Sequence, residues 1–484
     1  MKLKTLLSGI DYTCMTGNIE QEIDQVIYDS RIKTQGGLFI AIEGYQTDGH
    51  RYIDAAIENG ARVVLVQKPV EVKSQEVTVI QTSDTRLAMA QIANNAYEHP
   101  SESFKLVGVT GTNGKTSITF LLGQILEAYK QKVGIIGTIE NRIGTQVLKA
   151  ERTTPESLDL QRLFRKMADE KVDVAMMEVS SHALELKRTV GSKFRLGIFT
   201  NLTQDHLDFH KTMENYAKAK ARLFKCCETG IVNLDSDYIQ LITEGATCKL
   251  VTYGIDHEAD YHAKNIKITA AGVTYTLDSP EGTFEIAVPI PGKFTVYNTL
   301  AVIAAARQLD IPMTHIIAAL AELKGVPGRV QSFTSEKGYS VLVDYAHTPD
   351  GLENVLETIK EFAKGRIITV FGCGGDRDKT KRPIMGRIAA QYSDHVIITS
   401  DNPRTEDPFT ILDEVEAGVK ELTAHYDKIE DRETAICQAL KEALSEDVVL
   451  IAGKGHENYQ ILKDRIIHFD DCEVVRKYLQ EEQK

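Results

Sequence analysis

The sequence predicts an α/β protein of about three domains built on parallel sheets. Three observations carry that reading. The chain has 484 residues, and domains commonly run to roughly 100–200 residues. Short apolar runs alternate with helical patterns along most of the length, the arrangement that layers helices on parallel strands. Near residue 106 a strand-like run passes through glycines into Lys-Thr and then a helical pattern, the order of a phosphate-binding strand–loop–helix unit.

Composition narrows the function classes. Apolar residues make up 42% and charged residues 26%, enough to build large cores and exclude a wholly disordered chain. The net charge of −13 argues against a protein that wraps nucleic acid, whose binding depends on clustered cations. A local basic pocket for a small anion stays open. No uninterrupted apolar run approaches the ~20 residues that span a bilayer, and the apolar stretch in residues 1–9 is too short and polar for a signal peptide. The seven cysteines (14, 226, 227, 248, 373, 437, 472) are odd in number and lack CxxC spacing. A disulfide framework or thiolate zinc site is not expected, and a reducing cytoplasm is the expected compartment.

Taken in order, the first element is a short apolar run at 38–42, entered from Gly36-Gly37 and followed by a turn-rich segment at 43–50. His99-Pro100-Ser101 marks a boundary, after which 105–110 starts a new unit. A second boundary falls at 325–329, where turn residues cluster. The expected domains are therefore 1–103, 104–328 and 329–484. In the last of these, 340–344 is a short strand. Leu352, Val355, Leu356, Ile359 and Phe362 follow at helical spacing. Further strands are expected at 367–371, 395–399 and 448–452, each ending in a polar or glycine-rich segment. Ligands of open α/β sheets collect beyond the carboxyl ends of strands, so three loops here should face one crevice.

The strongest local signal is Gly108-Val109-Thr110-Gly111-Thr112-Asn113-Gly114-Lys115-Thr116. Glycines let backbone N–H groups turn toward phosphate oxygens, and the helix N-terminus favours an anion. Lys115 can reach the β/γ-phosphates and the Thr116 hydroxyl can hold Mg²⁺. The strict pattern wants glycine where Val109 stands, and an ordinary strand–turn–helix corner is the alternative. Two more strand ends can supply magnesium ligands. The run 172–177 ends in Glu178, and the run 196–199 leads to Asp205-His206. Lys218, Lys220 and Arg222 sit on one helical segment, where the residues alone favour a solvated basic face.

Thr110 to Thr116, Glu178-Val179-Ser180-Ser181-His182, Asn201-Leu202-Thr203-Gln204-Asp205-His206, Asp344-Tyr345-Ala346-His347-Thr348-Pro349-Asp350 and Asp401-Asn402-Pro403-Arg404 occur in the order found in the Mur ligases. The chain resembles that family over essentially its whole length, and within it the members that add meso-diaminopimelate. The resemblance implies an α/β fold of three domains: a UDP-substrate-binding N-terminal domain, a central P-loop ATPase domain and a C-terminal Rossmann-like domain. It implies amide ligation in peptidoglycan precursor synthesis, driven by ATP as co-substrate with Mg²⁺ as cofactor. The γ-carboxylate of UDP-N-acetylmuramoyl-L-alanyl-D-glutamate becomes an acyl phosphate, and meso-diaminopimelate displaces phosphate through a tetrahedral intermediate. A carboxylate is a poor electrophile, so phosphorylation creates the leaving group that amide formation needs. The implied partners are these small molecules alone, with no nucleic acid, no membrane span and a monomeric state. Domain closure is expected.

The resemblance also implies roles for single residues. Lys115, Lys220 and His206 are catalytic. Thr116 and Glu178 hold one Mg²⁺, with His206 and a carbamylated Lys220 on a second. Gly111, Thr112, Asn113, Gly114, Lys115, Thr116, Asn298, Arg329 and Asp344 bind ATP. Ser30 and the 44–49 segment match uridine-side motifs, and Thr153, Thr154, Ser180 and Arg188 match contacts to the muramoyl-dipeptide. The chain departs from common family residues at Arg152, Leu186 and Gln331.

Meso-diaminopimelate carries a second ammonium–carboxylate centre far from its reacting amine. A planar guanidinium suits the carboxylate. Arg404 of the Asp401-Asn402-Pro403-Arg404 segment and Arg377 each follow a strand, and Gly453 and Glu457 follow a third. The family positions agree with all of these, and lysine-adding relatives typically lack the arginine at the place of Arg404. Two other readings remain. One is a folylpolyglutamate synthetase-like ligase, against which the extra N-terminal ~100 residues argue. The other is a P-loop switch without amide chemistry.

Overall fold

Apolar, β-branched runs bounded by turn residues form the parallel strands, and their ends decide where polar groups gather. The computed structural model describes all residues except Tyr45, Gln46, Lys73, Gln75, Ala270, Pro327, Arg329, Ala424, Gln483 and Lys484. Arg329, expected at the nucleotide, part of the expected uridine-side segment and part of the expected second boundary thus lie outside the described residues. The chain divides into two compact units, Met1–Thr252 and Tyr253–Lys484.

The first unit opens with a five-stranded sheet made of β1 (Thr13–Thr16), β2 (Val26–Ile27), β3 (Gly37–Ile40), β4 (Ala61–Val66) and β5 (Thr78–Gln81), in the order β1-β5-β4-β3-β2. The run expected at 38–42 starts one residue earlier and ends at Ile40. A second series follows: β6 (Lys105–Thr110), β7 (Val133–Ile136), β8 (Asn141–Ile143), β9 (Gln146–Leu148), β10 (Val174–Glu178), β11 (Phe194–Phe199) and β12 (Cys227–Asn233). Their order is β12-β11-β6-β10-β7-β8-β9. β6 is parallel to both neighbours, with Val109 opposite Glu178 on one side and Ile198 on the other. Three strand ends therefore stop side by side. Leu106, Val107, Val109 and all five residues of β10 are buried, as expected of a parallel sheet covered on both faces. The helix Lys115–Ala128 covers one face with Ile118, Leu121, Leu122, Ile125 and Leu126, all buried.

β13 (Lys249–Gly254) runs through the division between the units. In the second unit β14 (Tyr261–Thr269), β15 (Gly272–Ser279) and β16 (Gly282–Val288) form an antiparallel meander. It is tied to the helix Lys293–Gln308 by a 2.9 Å bond between the Tyr275 and Thr299 hydroxyls. A six-stranded sheet follows: β17 (Gln331–Thr334), β18 (Ser340–Asp344), β19 (Ile367–Phe371), β20 (His395–Ile398), β21 (Tyr426–Lys428) and β22 (Val448–Ala452), ordered β17-β18-β22-β19-β20-β21. All pairs are parallel except β17 with β18. The four expected strands are present, one ending a residue early at Ile398. Ala452 lies opposite both Asp344 and Phe371, and Phe371 lies opposite Ile398. The loops that follow leave one edge together, as the sequence led us to expect. β23 (Tyr459–Ile461) and β24 (Ile466–His468) make a hairpin beyond β22. The helix Pro349–Lys360 buries Leu352, Val355, Leu356 and Ile359, and its Thr348 cap accepts a bond from Gly351 N–H. Among the described residues no helix is long and apolar enough to cross a membrane.

One buried ion pair braces the second sheet. Arg432 and Asp471 are both fully buried. The guanidinium makes two bonds to the carboxylate (2.8 and 2.7 Å) and donates to the carbonyl of Ala452, the last residue of β22. Removing one partner of such a pair leaves an uncompensated buried charge, a cost of about 3–5 kcal/mol. Asp471→Ala should accordingly lower the urea midpoint of this protein markedly. A midpoint equal to that of the unmodified chain would show that the pair does not support β22.

Candidate active site

β6 delivers the chain to Thr110, and the next residues turn it into the helix Lys115–Ala128. Gly111 and Gly114 adopt φ of +150° and +85°, the region where a side chain is strained. A Cβ on Gly111 would lie 1.8 Å from the Thr200 hydroxyl oxygen. Val109, the departure from the strict motif, is a fully buried core residue of β6, so the mismatch falls outside the turn. The segment after β11 clamps the loop. Thr112 N–H donates to the Asn201 carbonyl (2.9 Å), Asn113 N–H to Asn201 Oδ1 (3.0 Å), and the Thr200 hydroxyl to the Asn113 carbonyl (2.6 Å). Lys115 Nζ folds over the turn and donates to the carbonyls of Gly111 (2.9 Å) and Thr112 (2.7 Å).

Lys220 converges on the same carbonyl. Its Nζ donates to Gly111 O at 2.8 Å, lies 4.4 Å from the Tyr216 ring centroid, and the residue is 1% exposed. This corrects the residues-alone reading of a solvated basic face. Lys218 and Arg222 are exposed, but the helix Met213–Ala221 turns Tyr216 and Lys220, one helical turn apart, inward together. Burial, reinforced by Lys115, pushes the Lys220 amine well below the usual lysine range, because both effects disfavour its charged form.

Glu178 ends β10 with 1% exposure. Its carboxylate accepts from Thr138 N–H (2.8 Å) and the Thr138 hydroxyl (3.2 Å), and that hydroxyl meets Thr153 Oγ1 at 3.0 Å. Buried Thr116 stands at the start of the helix that leaves the neighbouring strand. His206, at φ +53°, packs edge-on against His182 at 4.8 Å, and its Nε2 lies 3.3 Å from Asp205 Oδ2. Burial lowers the His206 imidazole despite Asp205. It also lowers His182, and it takes His210 down to about 4. Burial thus favours the neutral form of these rings, in which one ring nitrogen has a lone pair to offer.

The residues matched to the muramoyl-dipeptide form one connected patch beside Glu178. Thr154 Oγ1 donates to the Glu178 carbonyl (2.7 Å) and accepts from Ser180 N–H (3.1 Å). Ser180 Oγ caps the helix Ser181–Glu185, and Arg188 Nη1 donates to the Thr154 carbonyl (3.1 Å). Glu156 pairs with Arg188 (2.8 Å), Arg152 (3.1 Å) and Arg86 (3.4 Å). Ser30 follows β2 and accepts from Asn59 Nδ2 through its carbonyl (2.8 Å); next to it, Asp29 and Arg31 are paired.

The remaining expected residues lie in the second unit. Asn298 is buried in the helix Lys293–Gln308. The Asp344 carboxylate accepts from the N–H groups of Val330 (2.8 Å) and Ala346 (2.7 Å), so it shapes the end of β18. Past β19, β20 and β22 the loops interlock. Arg404 Nη1 donates to the Gly375 carbonyl (2.7 Å), and a Cβ on Gly374 would lie 2.7 Å from that nitrogen. Asn402 Nδ2 donates to Glu457 Oε2 (2.8 Å), while Asn402 Oδ1 accepts from Ile461 N–H (2.9 Å). Asp401 and Pro403 are buried on either side of Asn402, and Gly453 takes φ +117° next to the Gly372 carbonyl. Arg377 is exposed, with Nη1 donating to its neighbour Asp376 (3.0 Å).

Sequence reasoning missed several residues. Lys454 is fully buried among Asp401, Asn402 and Glu457. Arg382, also fully buried, pairs with Glu406, whose carboxylate accepts from Asp376 N–H (2.6 Å) and so ties two of the loops. Buried position was the missing signal, since Lys and Arg are rarely fully buried unless paired. His182, His210 and Glu156 lay within or near quoted motifs, but only the fold shows them assembled.

Family models match most of the chain: "Mur ligase family, catalytic domain" at residues 22–97, "Mur ligase middle domain" at 109–306 and "Mur ligase, glutamate ligase domain" at 328–455. A UDP-N-acetylmuramoyl-L-alanyl-D-glutamate--2,6-diaminopimelate ligase of Clostridium botulinum is 48% identical over 485 residues, covering 99% of this chain and all of that one. The ligase of the same name from Clostridioides difficile is 50% identical over 483 residues, covering 99% of each. A solved structure of a protein of that name is 32% identical, covers 100% of this chain and 99% of that one, and superposes with a TM-score of 0.75. Folylpolyglutamate synthase of Mycobacterium tuberculosis covers 76% of this chain and 92% of its own at 17% identity and a TM-score of 0.62, a likeness of fold alone. With near-half identity to such relatives from end to end, the chain belongs to the Mur ligase family.

Proposed function

We propose that this chain is an ATP-dependent ligase that adds meso-diaminopimelate to UDP-N-acetylmuramoyl-L-alanyl-D-glutamate in peptidoglycan precursor synthesis. The reading rests on one observation above all: adjacent parallel strand ends bring a phosphate loop, a buried carboxylate and a neutral-leaning buried lysine together in one unit. Relatives of that activity by name, at 48 and 50% identity, support it. We place the UDP-substrate domain at 1–103, the ATPase domain at 104–328 and the amino-acid domain at 329–484, in a cytoplasmic monomer. The break between the family models at 97 and 109 supports the first limit, and the start of the next model at 328 lies one residue before the second.

In this reading the amides of Gly111 to Gly114 and the Lys115 ammonium cradle the phosphates of ATP, with Asn298, Arg329 and Asp344 as further nucleotide contacts. A γ-carboxylate oxygen of the substrate's glutamate attacks the γ-phosphorus and ADP leaves. The neutral amine of meso-diaminopimelate then attacks the acyl carbon, the C–O bond to phosphate breaks, inorganic phosphate leaves, and the nitrogen gives up a proton to water. Ser30 serves the uridine end, and Thr153, Thr154, Ser180 and Arg188 hold the muramoyl-dipeptide. Arg404 and Arg377 take the distal carboxylate, while Asp401, Asn402, Pro403, Gly453 and Glu457 shape the pocket for the distal ammonium.

The donor chemistry fits Mg²⁺, a hard ion that prefers oxygen. Thr116 and Glu178 would hold one ion, and His206 with a carbamate on Lys220 a second. Such ions offset the charge that builds on phosphoryl oxygens. The lysine's setting supports the carbamate that the family resemblance implies. A neutral amine attacks CO₂, a C–N bond forms, one C=O pair moves onto oxygen, and an N–H proton leaves to water. The product is an anion beside Lys115, which replaces repulsion with attraction.

Three experiments test these statements. Offered meso-diaminopimelate, L-lysine and L-glutamate with the UDP-muramoyl-dipeptide, the protein should release phosphate and form the ligated mass with meso-diaminopimelate. ATP turnover that ignores the acceptor would instead favour a nucleotide switch. Arg404→Ala should raise the KM for meso-diaminopimelate by ~10–100-fold, the loss of a charged hydrogen bond worth roughly 1.5–3 kcal/mol, and leave the KM for ATP near normal. Equal shifts in both would remove the pocket assignment. Lys220→Ala should lose on the order of 10²-fold or more in kcat, as when one charge-stabilising group is removed. Added formate or acetate should restore part of it, whereas full activity without rescue would end the carbamate assignment.

A further inference from the structure

Lys454 is the one lysine besides Lys220 that the described residues bury to 1% exposure or less. It stands in the loop after β22, two residues past Ala452. Its Nζ lies 3.4 Å from each of three acceptors: Asp401 Oδ1, Asn402 Oδ1 and Glu457 Oε2. The Tyr459 ring centroid is 5.7 Å away. Three acceptors at equal, long distances indicate a cation shared among them and not committed to one partner.

The sharing has a directional consequence at Asn402. An amide side chain has an acceptor end and a donor end, and its neighbours decide which way it faces. Asn402 Oδ1 receives Ile461 N–H at 2.9 Å and Lys454, while Nδ2 donates to Glu457 Oε2 at 2.8 Å and to Asp401 Oδ1 at 3.3 Å. Two donors at the oxygen end fix the amide so that its nitrogen turns Glu457. The Gln460 side chain adds a bond to the Asp401 carbonyl at 2.8 Å. Lys454 also balances two carboxylates brought together from loops 53 and three residues away in the chain. Without it, Asp401 and Glu457 would face each other across a poorly solvated space, and either could draw the ligand's ammonium to the wrong place.

We infer that Lys454 is a positioning residue for the diamino acid: its buried ammonium fixes the Asn402 amide and the Glu457 carboxylate in the orientation that receives the distal ammonium of the ligand. This rests on the reading of the second-unit pocket given above. Lys454 itself does not bind the ligand.

The test uses the full-length protein in steady-state assays. Lys454→Met keeps the aliphatic stem and removes the charge and its donors. The KM for meso-diaminopimelate should rise about tenfold or more, as expected when a buried charged group loses its hydrogen-bond partner. The KM values for ATP and for the UDP-muramoyl-dipeptide should stay within about twofold, a split that a general loss of structure would not give. The double variant D401N/K454M removes the carboxylate left unpaired. It should regain thermal stability relative to K454M, yet keep a KM for meso-diaminopimelate about tenfold above that of D401N alone. The inference fails if K454M keeps a normal KM for meso-diaminopimelate or if all three KM values rise in parallel. It also fails if the folded double variant matches D401N, or if neither variant folds, which would make Lys454 a folding residue. Failure of the underlying function would show earlier and elsewhere, in an unmodified protein that turns over no diaminopimelate.

Discussion

Parallel pairing of β10, β6 and β11 without a slip at their C-terminal ends is the constraint on which the first unit's chemistry depends. Side chains alternate along a strand, so a one-residue slip would send Glu178 to the opposite face and replace it with Met177 or Val179. It would also separate Thr110 from Thr200, whose hydroxyl holds the Asn113 carbonyl of the phosphate loop. The register is locked by a fully buried run on each strand. The hydrophobic core thus fixes positions for groups it does not contain. The second unit repeats the principle, with Ala452 held between Asp344 and Phe371 and braced from beneath by Arg432.

Two fully buried lysines show how surroundings divide one side chain between two tasks. Lys220 faces a carbonyl, an aromatic ring and a second cation, Lys115. Burial and Lys115 outweigh the opposing pull of the Asp205 carboxylate, and the amine is driven toward its neutral, nucleophilic form. Lys454 faces two carboxylates and an amide oxygen, three acceptors from which a cation can be held in place. Burial is common to both, and the neighbouring groups set the two lysines apart.

Much of this organisation was legible in the sequence. The strand at 105–110, the helix after it and the four strands of the C-terminal sheet followed from apolar period and turn residues. The gathering of loops at one sheet edge followed from parallel topology. What could not be read was burial of charge. Lys218, Lys220 and Arg222 look alike in a helical run, and only the packing of Tyr216 separates the inward lysine from its exposed neighbours. Lys454 and Arg382 were hidden for the same reason, because their counter-charges come from distant segments: Asp401 for one, Glu406 and Glu414 for the other. Chain ends of strands moved by a residue or two, since pairing partners and not propensity decide where a ladder stops.

Backbone strain occurs at helix ends and also at residues of the candidate site. Lys130, Lys171, Lys187 and Asp310 have positive φ and each stands just past a helix C-terminus, where a left-handed residue closes the last turn. His206, Asp376 and Arg404 have φ near +54° but follow no helix end. Each costs of the order of 1–2 kcal/mol relative to a right-handed conformation, and each is held by specific bonds. Arg404 N–H donates to the Ile461 carbonyl, the Asp376 carboxylate takes the Thr405 hydroxyl, and His206 N–H donates to Asp205. Glycine at these places would relieve the strain and remove an imidazole, a carboxylate and a guanidinium. Retaining a strained residue with a functional side chain makes sense where the side chain's direction matters more than the local backbone energy. Arg404 gains that direction from its left-handed turn, which carries its guanidinium back onto the Gly375 carbonyl and into the set of loops that surround Asn402 and Glu457.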